Sequence, residues 1–569
     1  MAESYFLLAA TFMPLLLAPI AYIIGKRSGS TAVTWFSFGT LAVSTGLLFM
    51  PAMLLHGGMS SYEESYVWGQ FGNFGLRLDG LALPFALIIY ILCTVLALYS
   101  KPYMIHKIME QMPGASASQG GHEHHGSTGQ VTLTAEQQKY VNHQMGLYFG
   151  LYLAFSMGML GSILATNLIE FYVFFELMLV PSFFLIAFYG YGAKRRIALM
   201  FFFWTHVGAV VLLLSLLAMG FFAGGFDYTT VKENVGKIPA EWLPLIVFGL
   251  IAGLGVKLAA FLLHIWLPYA HAEAPTPVSA LLSPAMIGIG AYGLLRLWME
   301  LLTGSYEQYS IYINMWGLAT MMYGGAMALM QDDIKKVLAY SSISQMGYIL
   351  FGLGSESILG ISGATMFYVT HGLGKAVLFM MAGSIILQTG TRSMSKLGGL
   401  GGKMPYTAVI AMIGALTIMG IPPTSGFMAE WTMFGGVLQT ASHDGGDAFR
   451  VLLFAFGIMS TILTSAYILW MIKRIFFGKM PEEMAHVKEA SPYITATMAV
   501  FAALSLAIGV YPDAFFDPIS GYVQGIFADS PGVLPAPESS GIIEPVAHAS
   551  EAGADGVAVE EGVETGGGH

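Results

Sequence analysis

The sequence predicts an all-α polytopic membrane protein of about fourteen transmembrane helices, containing two inverted five-helix repeats with broken helices. Three observations predict it. Hydrophobic residues make up 56% of the 569 and charged residues 10%, whereas a soluble globular domain carries about 25% charged residues; the mean hydropathy is +0.67. About fourteen apolar runs reach the roughly 20 residues that cross a bilayer. Two of those runs, five spans apart, are interrupted by prolines.

The runs lie near 5–24, 32–56, 82–100, 146–166, 169–191, 198–224, 244–267, 277–301, 309–330, 337–356, 361–388, 406–440, 450–472 and 492–511. The first has no small-residue cleavage site before "GKRSGS" and reads as a retained span. The third holds Cys93, the single cysteine, so an internal disulfide and a four-cysteine iron–sulfur cluster on this chain alone are excluded. Loops after odd-numbered spans hold "GKRSGS", "SKPYMIHK", "AKRR", "DDIKK", "TRSMSKLGGLGGK" and "KRIFFGK", which contain most of the 24 Lys and Arg. The positive-inside rule places these loops in the cytoplasm and both termini outside. Much of the acid behind the net charge of -10 follows Pro531, in a Gly/Ala/Glu stretch that reads as a disordered tail.

Span 7 runs into "HIWLPYAHAEAPTPVS" and span 12 contains "GIPPTSGFMAEW". Proline removes a backbone donor and breaks a helix, and broken backbone at membrane depth persists only where protein or water satisfies it. Paired interruptions point to a translocation path at an inverted-repeat interface. The expected organisation is spans 1–3 with a histidine-containing loop in 1–145, a first repeat of spans 4–8 in 146–305, and a second of spans 9–13 in 306–475. A final span occupies 476–511 and an acidic tail 512–569.

Glu176 lies inside "NLIEFYVFFELMLVPSFFLIAFYG". A charge at the bilayer centre costs roughly 2.5–3.5 kcal/mol on insertion scales, so such residues generally line a functional interior. Lys257 lies near the middle of span 7, His264 seven residues on along the same face, and His206 in span 6. His371 and Lys375 stack four apart in span 11, and Glu430 follows the span-12 break. Acid, base and imidazole groups at membrane depth are the composition a proton relay needs. Taken more plainly, Glu176 and Lys257 form a static buried ion pair, and His206 or His264 alone is a packing histidine. Arg296 near a span end snorkels or meets a loop acid. The "GGHEHHGSTG" stretch at 120–129 reads as a loop, and no metal site is assigned.

These residues carry a resemblance. "FFELMLVPSFFLI", "VKLAAFLLHIWLPYAHAEAPTPVSALL", "AYGLLR", "ALMQDDIKKVLAYSSISQMGY", "HGLGKAVLFMMAG" and "GIPPTSGFMAEW" resemble the antiporter-like membrane subunits of the NADH:quinone oxidoreductase, complex I, over about residues 145–440. Glu430 after the break and the lack of a long lateral helix make the chain most similar to the chain M branch. The resemblance implies that Glu176 and Lys257 form the span-5 and span-7 pair whose changing interaction drives proton movement. It also implies that His371 and Lys375 lie on the connecting polar axis and that Glu430 is the acid on the exit side. Three positions depart from that pattern: Gly288 stands where a lysine is usual, Gln345 where many relatives have histidine, and Lys375 where many chain M proteins lack a lysine. Gly288 then implies a first bridge that is filled by water or served by His264.

The expectation is therefore a proton-translocating subunit with no redox centre or cofactor of its own. Iron–sulfur clusters, flavin or its equivalent, and quinone sit on partner subunits: the other membrane-arm chains and a peripheral redox arm. The setting is a prokaryotic cytoplasmic membrane, or a thylakoid membrane. Two readings compete with it: a subunit of a multisubunit sodium/proton antiporter or membrane-bound hydrogenase, and a non-pumping scaffold.

Overall fold

A computed structural model describes residues 5–56, 58–112 and 134–536. The HEHH stretch, and the tail beyond residue 536, lie outside the described residues. Helix α1 (Phe6–Ser28) turns at Gly29, whose φ of 98° suits glycine, into α2 (Ser30–His56). A two-stranded antiparallel hairpin follows, β1 (Ser61–Val67) with β2 (Asn73–Asp79), paired Ser61 to Asp79 and Val67 to Asn73. This hairpin is an addition to the all-α fold that the sequence predicts, lying in the connection between α2 and the next helix. Its Glu64 carboxylate accepts the amides of Leu7 and Leu8, each at 2.9 Å, satisfying orphan donors in the first turn of α1 and docking the hairpin there.

Next come α3 (Ala82–Glu110), α4 (Ala135–Leu164), and a fifth segment split at Met178 into α5 (Leu168–Leu177) and α6 (Leu179–Tyr189). Pro181 has no amide to give the Leu177 carbonyl, which places the break. After α7 (Lys194–Ala223) and the short α8 (Tyr228–Glu233), the seventh segment is α9 (Leu243–Leu258), an unwound stretch and α10 (Trp266–Glu273). Ala259 and Leu262 in that stretch take positive φ, 57° and 74°, a strained choice for residues with a Cβ. The eighth segment strings α11 (Thr276–Leu281), a π turn over 282–286, α12 (Gly288–Gly293) and a second π turn over 294–299.

The second half comprises α13 (Tyr306–Leu329), α14 (Ile334–Leu353), α15 (Ile358–Thr389), the broken pair α16 (Pro405–Ile418) and α17 (Ser425–Ser442), and α18 (Ala448–Phe476). It is followed by α19 (Pro492–Val510) and α20 (Asp513–Ile526). Helix thus occupies each segment that the apolar runs marked. Among the described residues, ten helices are long and apolar enough to cross a membrane, and α9 and α16 are shorter apolar helices. Helices α13 and α14 fall outside both groups. They pack through a glycine seam: a Cβ at Gly317, Gly324, Gly347 or Gly354 would overlap the facing backbone at Phe351, Ser344, Met321 or Asn314. Helix α20, within the stretch expected to be tail, is amphipathic, burying Ile519 and Val523. The centre of the bundle is the eighth segment, whose most apolar window is wholly buried, together with α15.

Candidate functional site

Glu176 occupies the last turn of α5, beside the Met178 break. Its Oε2 lies 2.9 Å from His206 Nδ1 on α7, while Oε1 is buried without a partner. The side chains are 21% and 42% exposed, so this pair sits on the outer wall of the chain at membrane depth. Lys257, 2% exposed in the last turn of α9, holds its Nζ 4.6 Å from the centroid of the Phe175 ring, a cation–π contact. Among the described residues no ion pair within 4.0 Å joins Glu176 to Lys257; the carboxylate's direct partner is His206, although it remains within electrostatic reach of Lys257. The Glu176–Lys257 pair expected from sequence is thus a triad with His206 as the contacting member.

His264 lies in the unwound stretch after α9. Its Nε2 is 3.1 Å from Tyr323 Oη on α13, and its Nδ1 is buried without a partner. At Gly288 a Cβ would overlap the Tyr368 ring, so a buried aromatic stands against the position where a side chain is missing. Tyr368 stacks on Phe85 at 4.2 Å and donates to the Ala285 carbonyl at 3.3 Å.

The structure brings His371 and Lys375 onto one buried face of α15. Both His371 nitrogens lack partners, and Lys375 Nζ donates to the Leu338 carbonyl at 3.1 Å and to Ser341 Oγ. His271 on α10, not singled out from sequence, is fully buried with both nitrogens unpartnered and stacks on Phe379 of α15. Its signal was its place in "LPYAHAEAP", directly after the break. Lys335, also overlooked, is fully buried and donates to the Ala274 carbonyl. Its Nζ joins Lys107 Nζ and the Arg392 guanidinium around the Tyr191 ring, at 5.4, 3.4 and 6.0 Å from the centroid. Glu110 pairs with Lys107 at 2.8 Å and Asp333 with Arg392 at 2.7 Å. This cluster lies at the end of the bundle that carries the odd-span loops.

Glu430 follows the break in the first turns of α17. Its Oε1 is buried without a partner, and Gly420, at a φ of 63°, leaves the room its carboxylate fills. Gln345 Nε2 on α14 is likewise buried and unpartnered. The described residues therefore hold unpartnered polar atoms beside all three helix breaks, where buried groups are ordinarily satisfied. They contain no group of three His, Cys, Asp or Glu that could hold a metal ion.

Arg296 does not snorkel. It is 1% exposed, bidentate to Asp79 at 2.7 and 2.9 Å, paired with Glu300 at 2.7 Å and bonded to Tyr522 of α20. Burial alone would push the Asp79 carboxyl up, but the guanidinium groups of Arg296 and Arg77 hold it below the usual carboxylate range. The loop acid anticipated for Arg296 is Asp79.

Residues 165–464 match the family described as NADH:quinone oxidoreductase/Mrp antiporter, TM. The chain belongs to this family. It is 30% identical to "NAD(P)H-quinone oxidoreductase chain 4 2" of Thermosynechococcus vestitus over 92% of each chain. It is 28% identical to "NADH-quinone oxidoreductase subunit M" of Rhodobacter capsulatus over 91% of this chain and 96% of that one. A chain of respiratory complex I from Thermus thermophilus has the same fold, with a TM-score of 0.75 at 22% identity, covering 91% of this chain and 98% of that one. Within the NADH:quinone oxidoreductase/Mrp family this protein is an antiporter-like, proton-pumping membrane subunit with complex I type partners, and Glu176, Lys257 and Glu430 lie beside its breaks at α5/α6, α9/α10 and α16/α17.

Proposed function

We propose that this chain translocates protons through Glu176, His206, Lys257 and His271 in one half and His371, Lys375 and Glu430 in the other, driven by redox chemistry in partner subunits. The observation that carries the proposal is the set of buried, unpartnered carboxylate and imidazole atoms at the helix breaks. A group that must give and take a proton needs an unused position for it, and a fully satisfied network would be static. Glu176 bonds His206 and acts on Lys257 across a gap. With the carboxylate held on His206, as it is here, the buried ammonium has no contacting counter-charge, which favours release of its proton; a carboxylate moved to Lys257 would favour the charged form again. Lys375, His371 and Gln345 lead from there to Glu430. Loops rich in Lys and Arg face the cytoplasm of a prokaryotic cell, both termini face outside, and the electron-carrying cofactors reside on partners.

The test is Lys257→Met in the native complex. Inverted membrane vesicles should keep uncoupled quinone reduction and lose proton uptake per electron; an unchanged ratio refutes the proposal. Co-purifying chains separate the competitors: iron–sulfur subunits fit the redox pump, whereas small membrane subunits with no redox partner fit sodium/proton exchange.

A further inference from the structure

The eighth segment meets the second half through hydroxyl groups. Ser283, in the π turn over 282–286, places its Oγ 2.7 Å from Ser342 Oγ on α14, and this is its side-chain bond among the described residues. The next residue in that π turn, Pro284, has no amide to donate, and π turns recur at functional sites. Ser342 Oγ also lies 2.8 Å from the Leu338 carbonyl. That one oxygen is sought by Ser341 Oγ at 2.9 Å and Lys375 Nζ at 3.1 Å as well. Ser283, Ser342, Ser341 and Lys375 are at most 1% exposed.

A carbonyl oxygen offers two lone pairs, and a serine hydroxyl has one proton to donate. Three side-chain donors on Leu338, beside its helical amide, exceed that capacity. We propose that the Ser342 hydroxyl is a rotor coupling Lys375 to the eighth segment, taking the place of the side chain absent at Gly288. As an ammonium, Lys375 engages the Leu338 carbonyl and turns Ser342 toward Ser283. Once Lys375 has released its proton, Ser342 turns back to Leu338, and Ser283 donates to Ser342. No proton passes through the carbonyl, and no electrons move; Ser342 and Ser283 act through Lys375 as positioning residues. Among the described residues, this pair is the side-chain hydrogen bond between the eighth segment and α14.

The inference rests on the proton path proposed above. In vesicles carrying the native complex, Ser342→Ala and Ser283→Ala should each lower the protons moved per electron. The amount of assembled complex and the uncoupled electron flow should stay as in the wild type. Ser342→Thr, which keeps a hydroxyl at that place, should restore the ratio, and the double alanine variant should be no worse than either single one, because both remove the same bond. Full pumping in both alanine variants, failure of threonine to rescue, or additive losses would each overturn the inference. If Ser342→Ala does not assemble, Ser283→Ala with Ser283→Thr as the rescue decides in the same way. Lys375→Gln distinguishes the two levels: intact pumping there refutes the path itself, whereas lost pumping there with intact serine variants refutes only the rotor.

Discussion

Asp79 terminates β2 and accepts from two guanidinium groups and two amides, so its replacement separates ion pairing from capping. Arg296 donates to both carboxylate oxygens at 2.7 and 2.9 Å, Arg77 Nε at 2.9 Å, and the amides of Leu81 and Ala82 at 3.2 and 2.9 Å. Removing one partner of a buried ion pair costs about 3–5 kcal/mol, because the other charge is left uncompensated. Glu300 still accompanies Arg296, which places Asp79→Asn near the lower end, about 3 kcal/mol. Asparagine keeps an oxygen for the two amides; Asp79→Ala loses that as well and should cost about 1 kcal/mol more. The assay is the thermal midpoint of the detergent-solubilised complex, followed by the loss of assembled protein. Because Asp79 is held below the usual carboxylate range, its contribution is complete above the unfolded value of about 3.9 and is lost as the pH falls through the lower folded value. The gap between wild type and Asp79→Asn should therefore stay constant from neutral pH to about 5 and close only in stronger acid. An unchanged midpoint in Asp79→Ala would refute the reasoning, as would a gap that widens on acidification.

His206→Phe removes the contacting partner of Glu176; proton uptake by vesicles should fall while assembly, read on native gels, is retained. Glu430→Gln keeps the shape and removes the charge, so uncoupled quinone reduction should persist and the pH gradient should not form. Gly288→Ala drives a methyl into the Tyr368 ring, an overpacking cost of about 1–3 kcal/mol visible as a lower thermal midpoint. In a Tyr368→Ala background, itself destabilised by loss of the ring, Gly288→Ala should cost less than it does in the wild type.

Much of the fold was legible because a helix crossing a bilayer must be a long apolar run, and the runs and the helices coincide. The β1–β2 hairpin was not, since seven-residue strands in a connecting loop leave no comparable signature. The break at Met178 was also hidden. Pro14 and Pro19 lie inside an unbroken α1, so a single proline such as Pro181 in an apolar run does not distinguish a tolerated residue from a hinge. At the site, buried charge singled out Glu176, Lys257, Lys375 and Glu430, because intramembrane charge is rare whatever its neighbours. Their partners were out of reach. His206 meets Glu176 across two helices, Tyr368 fills the space at Gly288 from α15, and Lys375 is held by a backbone carbonyl of α14 that no side-chain pattern reveals.

The glycine seam between α13 and α14 bears on how this protein is made. Neither helix belongs to those apolar enough to cross a membrane alone, so neither leaves the insertion machinery for lipid unaided at low cost. Close backbone approach at Gly317, Gly324, Gly347 and Gly354 allows the two to pair first and hide their polar groups from lipid. A bulky residue at Gly347 should then part the two helices and show as loss of assembled protein rather than as loss of pumping in an assembled complex.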